Sequence, residues 1–295
     1  MFHKSDEAIH SLSIGEFEKA KSLYSVLLDK DPEDLDFISG YFVASYWDNR
    51  LDLVLRTREG KDRGKLLLEY FSLFESEAKK RNIQHTVAYS TCLRCILEEA
   101  SNHLKLAYGW EGANALDTDA LTELAICLIK IGDYKTALEV LPFSDPASRL
   151  SPHLKFYLAE AFCMSSRERE GKEQYLSAFL DDPGLFPVEL VQYAPLRQLI
   201  SEARNVVSEE EVSEYVAVRA WQTRIFLTDR IASEHESKIW VNEMNRLLDA
   251  LRRGAGNEFK VKCRIQQYAY AIIEMAPQNL FRDAIMQAKQ ILKEI

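Results

Sequence analysis

Few side chains in this 295-residue sequence have types and spacing suited to chemistry. Cys92 and Cys95 form a C-x-x-C pair flanked by His85 and His103. Cysteine and histidine are zinc ligands, so a metal centre has to be weighed. On a helix His85, Cys92 and His103 share one face, but a rise of about 1.5 Å per residue sets His85 roughly 10 Å from Cys92, too far to ligate one ion. The cysteine pair offers two ligands where four are needed, and no second pair has ligand spacing. Small core residues are the expected role, and no metal is assigned. The five cysteines, Cys92, Cys95, Cys127, Cys163 and Cys263, are odd in number and lie in apolar stretches, which reads as reduced thiols without a disulfide framework.

Other chemical motifs fail on spacing. His235-Glu236 has no second histidine four residues on, and neither a phosphate loop nor a dinucleotide fingerprint occurs. The run from Arg252 through Gly254 and Gly256 to Asn257 has the look of a phosphate nest, but a helix-ending glycine turn accounts for it. Gly109-Trp110-Glu111-Gly112 is too short to mean more. None of the six histidines stands near a serine or cysteine in a nucleophile signature. The expectation is a chain without catalytic residues and without a cofactor.

The elements that would carry any site are helices. Glycine and proline number only 11 and 8, which leaves too few turn residues for a many-stranded fold. Leucine occurs 37 times against 14 valines and 8 threonines, a balance that favours helix over strand. With 47% hydrophobic and 28% charged residues the chain can bury a substantial core. The expected class is all-α.

A formal charge of −9 opposes the attraction to phosphate that dominates nucleic-acid binding, so DNA and RNA are not expected partners. From Arg246 onward nine Lys/Arg face five Asp/Glu, which reads as a solvated outer face and, alternatively, as a surface for an acidic partner. The first residues lack the basic start and apolar centre of a secretory signal, and no apolar run approaches about 18 residues. The expectation is a cytoplasmic chain with no membrane span.

A period of 34 residues organises part of the chain. Leu124, Ala125, Leu128 and Ala137 recur as Leu158, Ala159, Phe162 and Gly171. Near the start Ala8, Gly15-Glu16-Phe17, Ala20 and Tyr24 match Ala125, Gly132-Asp133-Tyr134, Ala137 and Leu141, and Pro32 matches Pro183. Small residues (Ala8 and Ala20, Ala125 and Ala137, Ala159 and Gly171) let two antiparallel helices approach, and bulky ones wedge against a neighbouring pair. Glycine in the left-handed conformation ends the first helix, and proline stops the second.

These residues resemble the tetratricopeptide repeat over about 100 residues in three units. The middle unit departs from the pattern with Arg149 where proline is usual, and Asp36 to Tyr108 has the lengths of helical hairpins without the consensus. Later helices are expected over residues 188–203, from a capping box of Ser208 and Glu211 to about Ala232, and over Ser237–Leu251, Phe259–Met275 and Asn279–Lys293. The resemblance implies a right-handed α-solenoid of helix pairs with a C-terminal helical bundle, divided into repeats over 1–184 and a C-terminal helical region over 185–295.

It further implies a concave groove that grips a peptide or helix of a partner protein, lined here by Glu123, Ile126, Lys130, Phe156, Tyr157, Glu160 and Met164. If the C-terminal helices fold into that groove, Phe156, Tyr157 and Met164 are core instead. The family's carboxylate-binding chaperone adaptors carry lysine and asparagine where this chain has Ser5 and Ile9, which argues against that subtype. The function expected is a non-catalytic scaffold or adaptor. The alternative is a structural subunit that self-associates or joins an assembly through Trp221, Trp240 and the C-terminal helices.

Overall fold

The computed structural model describes residues 2–111, 118–141 and 151–295, with the backbone alone described at 2–3, 108–111 and 118–120. The described residues form helices and turns with no strand. In chain order they are α1 (Phe2–Ser13), α2 (Phe17–Leu28), α3 (Leu35–Arg56), α4 (Lys61–Lys80), α5 (Val87–Glu111), α6 (Thr118–Ile131) and α7 (Tyr134–Val140). Then come α8 (Pro152–Met164), α9 (Glu168–Asp181), α10 (Ala194–Arg204), α11 (Val212–Gln222), α12 (Glu234–Arg252), α13 (Glu258–Met275) and α14 (Arg282–Glu294). The chain divides into two compact units, Met1–Pro146 and Ala147–Ile295. This boundary precedes the expected one at 184/185. The cause is that the α8–α9 hairpin buries its apolar side with the C-terminal helices: Phe156, Tyr175 and Phe179 share one core with Leu196, Val216, Trp240, Ile272 and Ala288.

One turn ends six of the described helices. After α1, α6 and α8 the residue in the left-handed region is Gly15 (φ 78°), Gly132 (φ 81°) and Ser166 (φ 61°). Its amide donates three residues back, and the next amide donates five back. The pairs are Gly15 to Leu12 (3.3 Å) and Glu16 to Ser11 (2.9 Å), Gly132 to Ile129 (3.1 Å) and Asp133 to Leu128 (2.9 Å), Ser166 to Cys163 (3.3 Å) and Arg167 to Phe162 (2.9 Å). This double bond satisfies carbonyls that a helix end leaves open. Asn82, Arg224 and Gly254 end α4, α11 and α12 in the same way. The turn at Arg224 stops α11 at Gln222, ten residues before the end expected near Ala232. A side chain in the left-handed region is tolerated there because the amide of Ile225 still reaches the carbonyl of Ala220 at 2.9 Å.

Ala8, Ala20, Ala125, Ala137 and Ala159 are buried within helices. Gly171 is buried against Cys163 and Ala159, and a Cβ placed on it would lie 2.3 Å from the Cys163 sulfur and 2.8 Å from the Ala159 carbonyl oxygen. The close approach of α8 and α9 therefore requires glycine there. In the first unit α5 packs against α1, α3, α4 and α6. Its core is aromatic, with Trp47, Tyr46, Phe74 and Tyr89 in ring contact. Ion pairs tie its helices together: Lys21 to Asp48 at 2.9 Å, Lys130 to Glu75 at 2.6 Å and Lys105 to Asp133 at 3.1 Å.

The stretch between α9 and α10 is not the continuous helix expected from 188. It holds two short 3-10 turns, Pro183–Leu185 and Val188–Leu190, and α10 begins at Ala194. The capping box of Ser208 and Glu211 is present, and a second, of Ser233 and Glu236, opens α12. The exit expected at Arg149 and the residue Gly112 lie outside the described residues.

Replacing Ser166 by glycine removes the steric cost of a Cβ in the left-handed region, so Ser166→Gly is expected to stabilise the second unit by about 0.5–1 kcal/mol in urea unfolding. Gly171→Ala is expected to cost about 1–3 kcal/mol through overpacking, despite alanine's better helix propensity. A destabilised Ser166→Gly or a stabilised Gly171→Ala would contradict these two local geometries.

Candidate functional site

The seven expected groove residues divide between the units. Glu123, Ile126 and Lys130 lie half-buried on α6 in the first. The Lys130 ammonium donates to Glu75 and sits 5.0 Å from the centre of the Phe71 ring, so it fastens α6 to α4. Phe156, Tyr157, Glu160 and Met164 lie on α8 in the second unit. Of these only Met164 is exposed, at 38%. Phe156 packs its ring on Phe179 and Phe186, with centroids 4.9 and 5.3 Å away. Phe156 is therefore a core residue of its own unit, Glu160 is buried on amides of that unit, and Tyr157 is buried as well, so the three form no open surface. Trp221 and Trp240 are likewise buried in that core, so they are no contact for a second copy.

Glu160 is a buried group with three polar partners. It is 2% exposed, and its carboxylate accepts from the Tyr175 hydroxyl and from the amides of Gln192 at 2.6 Å and Tyr193 at 3.1 Å. Burial raises its pKa above the ordinary 4.5, only partly offset by the hydrogen bonds from Tyr175, Gln192 and Tyr193. A second polar clamp comes from α13. The Arg264 guanidinium donates to the carbonyls of Phe179 (2.6 Å), Leu180 (2.8 Å) and Asp181 (3.3 Å), a cation on the open carbonyls at the end of α9. Both groups are engaged largely with backbone, Glu160 in the core and Arg264 half-buried at the end of α9.

The thiols are chemically quiet. Burial pushes Cys127, Cys163 and Cys263 up to about 12 and Cys92 well above the usual range. Burial, with Glu99 and Glu98 close by, takes Cys95 to about 11. The reactive thiolate is correspondingly scarce at neutral pH. Among the described residues no group of three or more His, Cys, Asp or Glu is placed to hold a metal. His103 is buried and its Nδ1 accepts from the Gly60 amide at 3.3 Å, while His85 is exposed. At the Arg252–Asn257 run the amides of Gly254 and Ala255 are already bonded to Leu251 and Ala250, so they are not free to cradle a phosphate. Among the C-terminal cations Arg246, Arg252, Lys260 and Lys262 pair with Glu243, Asp249, Glu214 and Glu258, as on a solvated face. No described helix is long and apolar enough to cross a membrane.

The first unit has a cleft of about 350 Å³ where the end of α1, the end of α3 and the middle of α5 converge. Phe17, Val54, Leu67 and Ile96 form a buried floor. Ile14 and Leu55, 54% and 58% exposed, also line it, together with Cys95, Glu98, Glu99 and Asn102. The turn at Gly15 places Ile14, because the two amides after it are held by Leu12 and Ser11. Arg63 places Leu55: it donates to the carbonyls of Leu55 (3.0 Å) and Thr57 (2.8 Å) and so closes α3. A second, polar hollow of about 360 Å³ adjoins it, sharing Glu98 and Asn102 and reaching Asp133. The sequence offers a faint sign of this cleft in Leu51, Leu53 and Leu55, an apolar run at the end of α3 whose last two members stay exposed.

The raised pKa of Glu160 sets a sign for pH. Its stabilisation is complete below about 4.5 and is lost as pH rises through the higher folded value, because ionising the carboxyl in the core is costly. Glu160→Gln keeps the acceptor for the two amides without the titration. Relative to the wild type, the variant is expected to gain stability as pH goes from below 4.5 to neutral, read by urea unfolding at each pH. A stability difference that stays flat over that interval would refute the assignment.

No protein-family model matches this chain, and neither the curated proteins nor the solved structures contain a match to it.

Proposed function

We propose that this chain is a non-catalytic adaptor that binds another protein, and that its first unit seats an apolar side chain of the partner in the cleft lined by Ile14 and Leu55. The observation that carries this reading is two large aliphatic side chains, each more than half exposed, lining one cleft with the buried apolar residues Phe17, Val54, Leu67 and Ile96. Well-ordered apolar pockets of this kind with a polar edge are where partner side chains anchor. The 34-residue spacing and the shared turn at Gly15, Gly132 and Ser166 support a tetratricopeptide-like origin, whose hairpins stack as a right-handed solenoid and offer extended surfaces. A cytoplasmic setting agrees with the reduced, buried cysteines.

A second reading, self-association through the C-terminal helices, draws on exposed Leu280 and Met286 at and beside α14. Sedimentation across a range of concentrations separates it: a constant monomer mass removes it.

The adaptor reading is tested with the double variant Ile14→Ser, Leu55→Ser, whose exposed sites should leave the fold intact. Quantitative mass spectrometry of proteins retained by the two chains is expected to show specific partners depleted by about tenfold or more with the variant, the loss of an anchor worth at least 1.4 kcal/mol. Identical retention, with unchanged circular dichroism, would exclude the cleft as the binding site.

A further inference from the structure

Resting on the cleft reading above, we infer that its occupant is a cationic segment of a partner protein, in which one aliphatic side chain is flanked by lysine or arginine.

The two units differ sharply in charge. Met1–Pro146 holds 17 Lys/Arg against 25 Asp/Glu, a net of −8, whereas Ala147–Ile295 holds 20 against 21, a net of −1. Nearly all of the chain's net negative charge therefore belongs to the unit that bears the cleft. Within the cleft the same sign prevails. Glu98 and Glu99 both line it, close enough to Cys95 that both act on its thiol. Glu99 faces the His103 imidazole at 3.2 Å. The cation of the lining, Arg63, has its guanidinium on the Leu55 and Thr57 carbonyls and on Glu59, so it is occupied in closing α3. In the adjoining hollow Lys105 is paired with Asp133, which leaves Glu98 at the junction of an apolar and a polar depression.

This layout matches a ligand with an aliphatic group for the floor and cations for Glu98 and Glu99. Complementary charge raises the encounter rate and sets orientation, while the desolvated apolar contact sets residence time. The first unit of a second copy is a poor occupant, because it carries the same −8 and repels. Nucleic acid and acidic peptides are repelled for the same reason.

The test is a selection from a displayed random peptide library on the immobilised full chain, followed by fluorescence anisotropy of the enriched peptides as synthetic probes. The expected result is enrichment of peptides with Leu, Ile or Met flanked by at least two basic residues. Their affinity should fall about tenfold with Glu98→Gln, Glu99→Gln, fall about tenfold with Leu55→Ser, and weaken as salt is raised from about 50 to about 300 mM. Ile14→Ser serves as an independent variant of the apolar side, and thermal unfolding checks that each variant folds. Neutral or acidic peptides that still depend on Leu55 would overturn the cationic class while leaving the cleft as a docking site. No enrichment, or binding indifferent to both Leu55→Ser and Ile14→Ser, would overturn the docking site itself and this inference with it.

Discussion

Glu160 lies almost wholly out of water, and the path of the chain from Asp182 to Ala194 follows from what its carboxylate accepts. Ordinary helix packing would let α8 and α9 present a broad apolar side to the next hairpin. Here the amides of Gln192 and Tyr193 are drawn onto α8, where α10 starts, and Phe186 comes to rest against Phe156 and Phe179. Arg264 completes the arrangement from α13 by meeting the carbonyls at the end of α9. A lone buried carboxylate or guanidinium would be costly, and each is tolerated because several hydrogen bonds replace its water. The second unit is thus one core fastened by two polar clamps, to which the α8–α9 hairpin contributes Phe156, Tyr175 and Phe179.

In the first unit Arg63 caps the end of α3 in the way Arg264 caps α9, but no buried carboxylate is described there in the role of Glu160. Its helices close around Trp47 and Phe74, and α5 supplies surface to α1 as well as to its chain neighbours. Charged pairs at its edges, such as Lys21 with Asp48, are partly exposed and contribute little to stability, so aromatic burial dominates there. The cleft exists because α1 and α3 end at one level beside α5, one in a glycine turn and the other under Arg63. Its edge is therefore as rigid as the backbone that ends those helices, and a rigid edge lowers the entropy lost when a partner docks.

The same turn at Gly15, Asn82, Gly132, Ser166, Arg224 and Gly254 shows how loosely residue identity binds a backbone form. Glycine at three of these positions is readable as a helix stop. Asparagine is a weaker sign, and serine and arginine give none, because there the surrounding hydrogen bonds and packing impose the left-handed conformation on a side chain that resists it. That is why the helix expected to reach Ala232 ends at Gln222.

Helical class, the hairpins at Gly15 and Gly132, the small residues between paired helices and the capping box at Ser208 were all legible in the sequence, because propensity, caps and close-packed positions act over a few residues of chain. The division at Pro146 was not, since it depends on which apolar face meets which, a choice made between elements far apart in sequence. The fate of Phe156, Tyr157 and Glu160 was open for the same reason: an aromatic stripe looks alike whether it lines a groove or a core, and only the positions of residues 183–193 decide. The acidic apolar cleft, assembled from Ile14, Leu55, Glu98 and Glu99, exists only once the ends of three helices have been brought together.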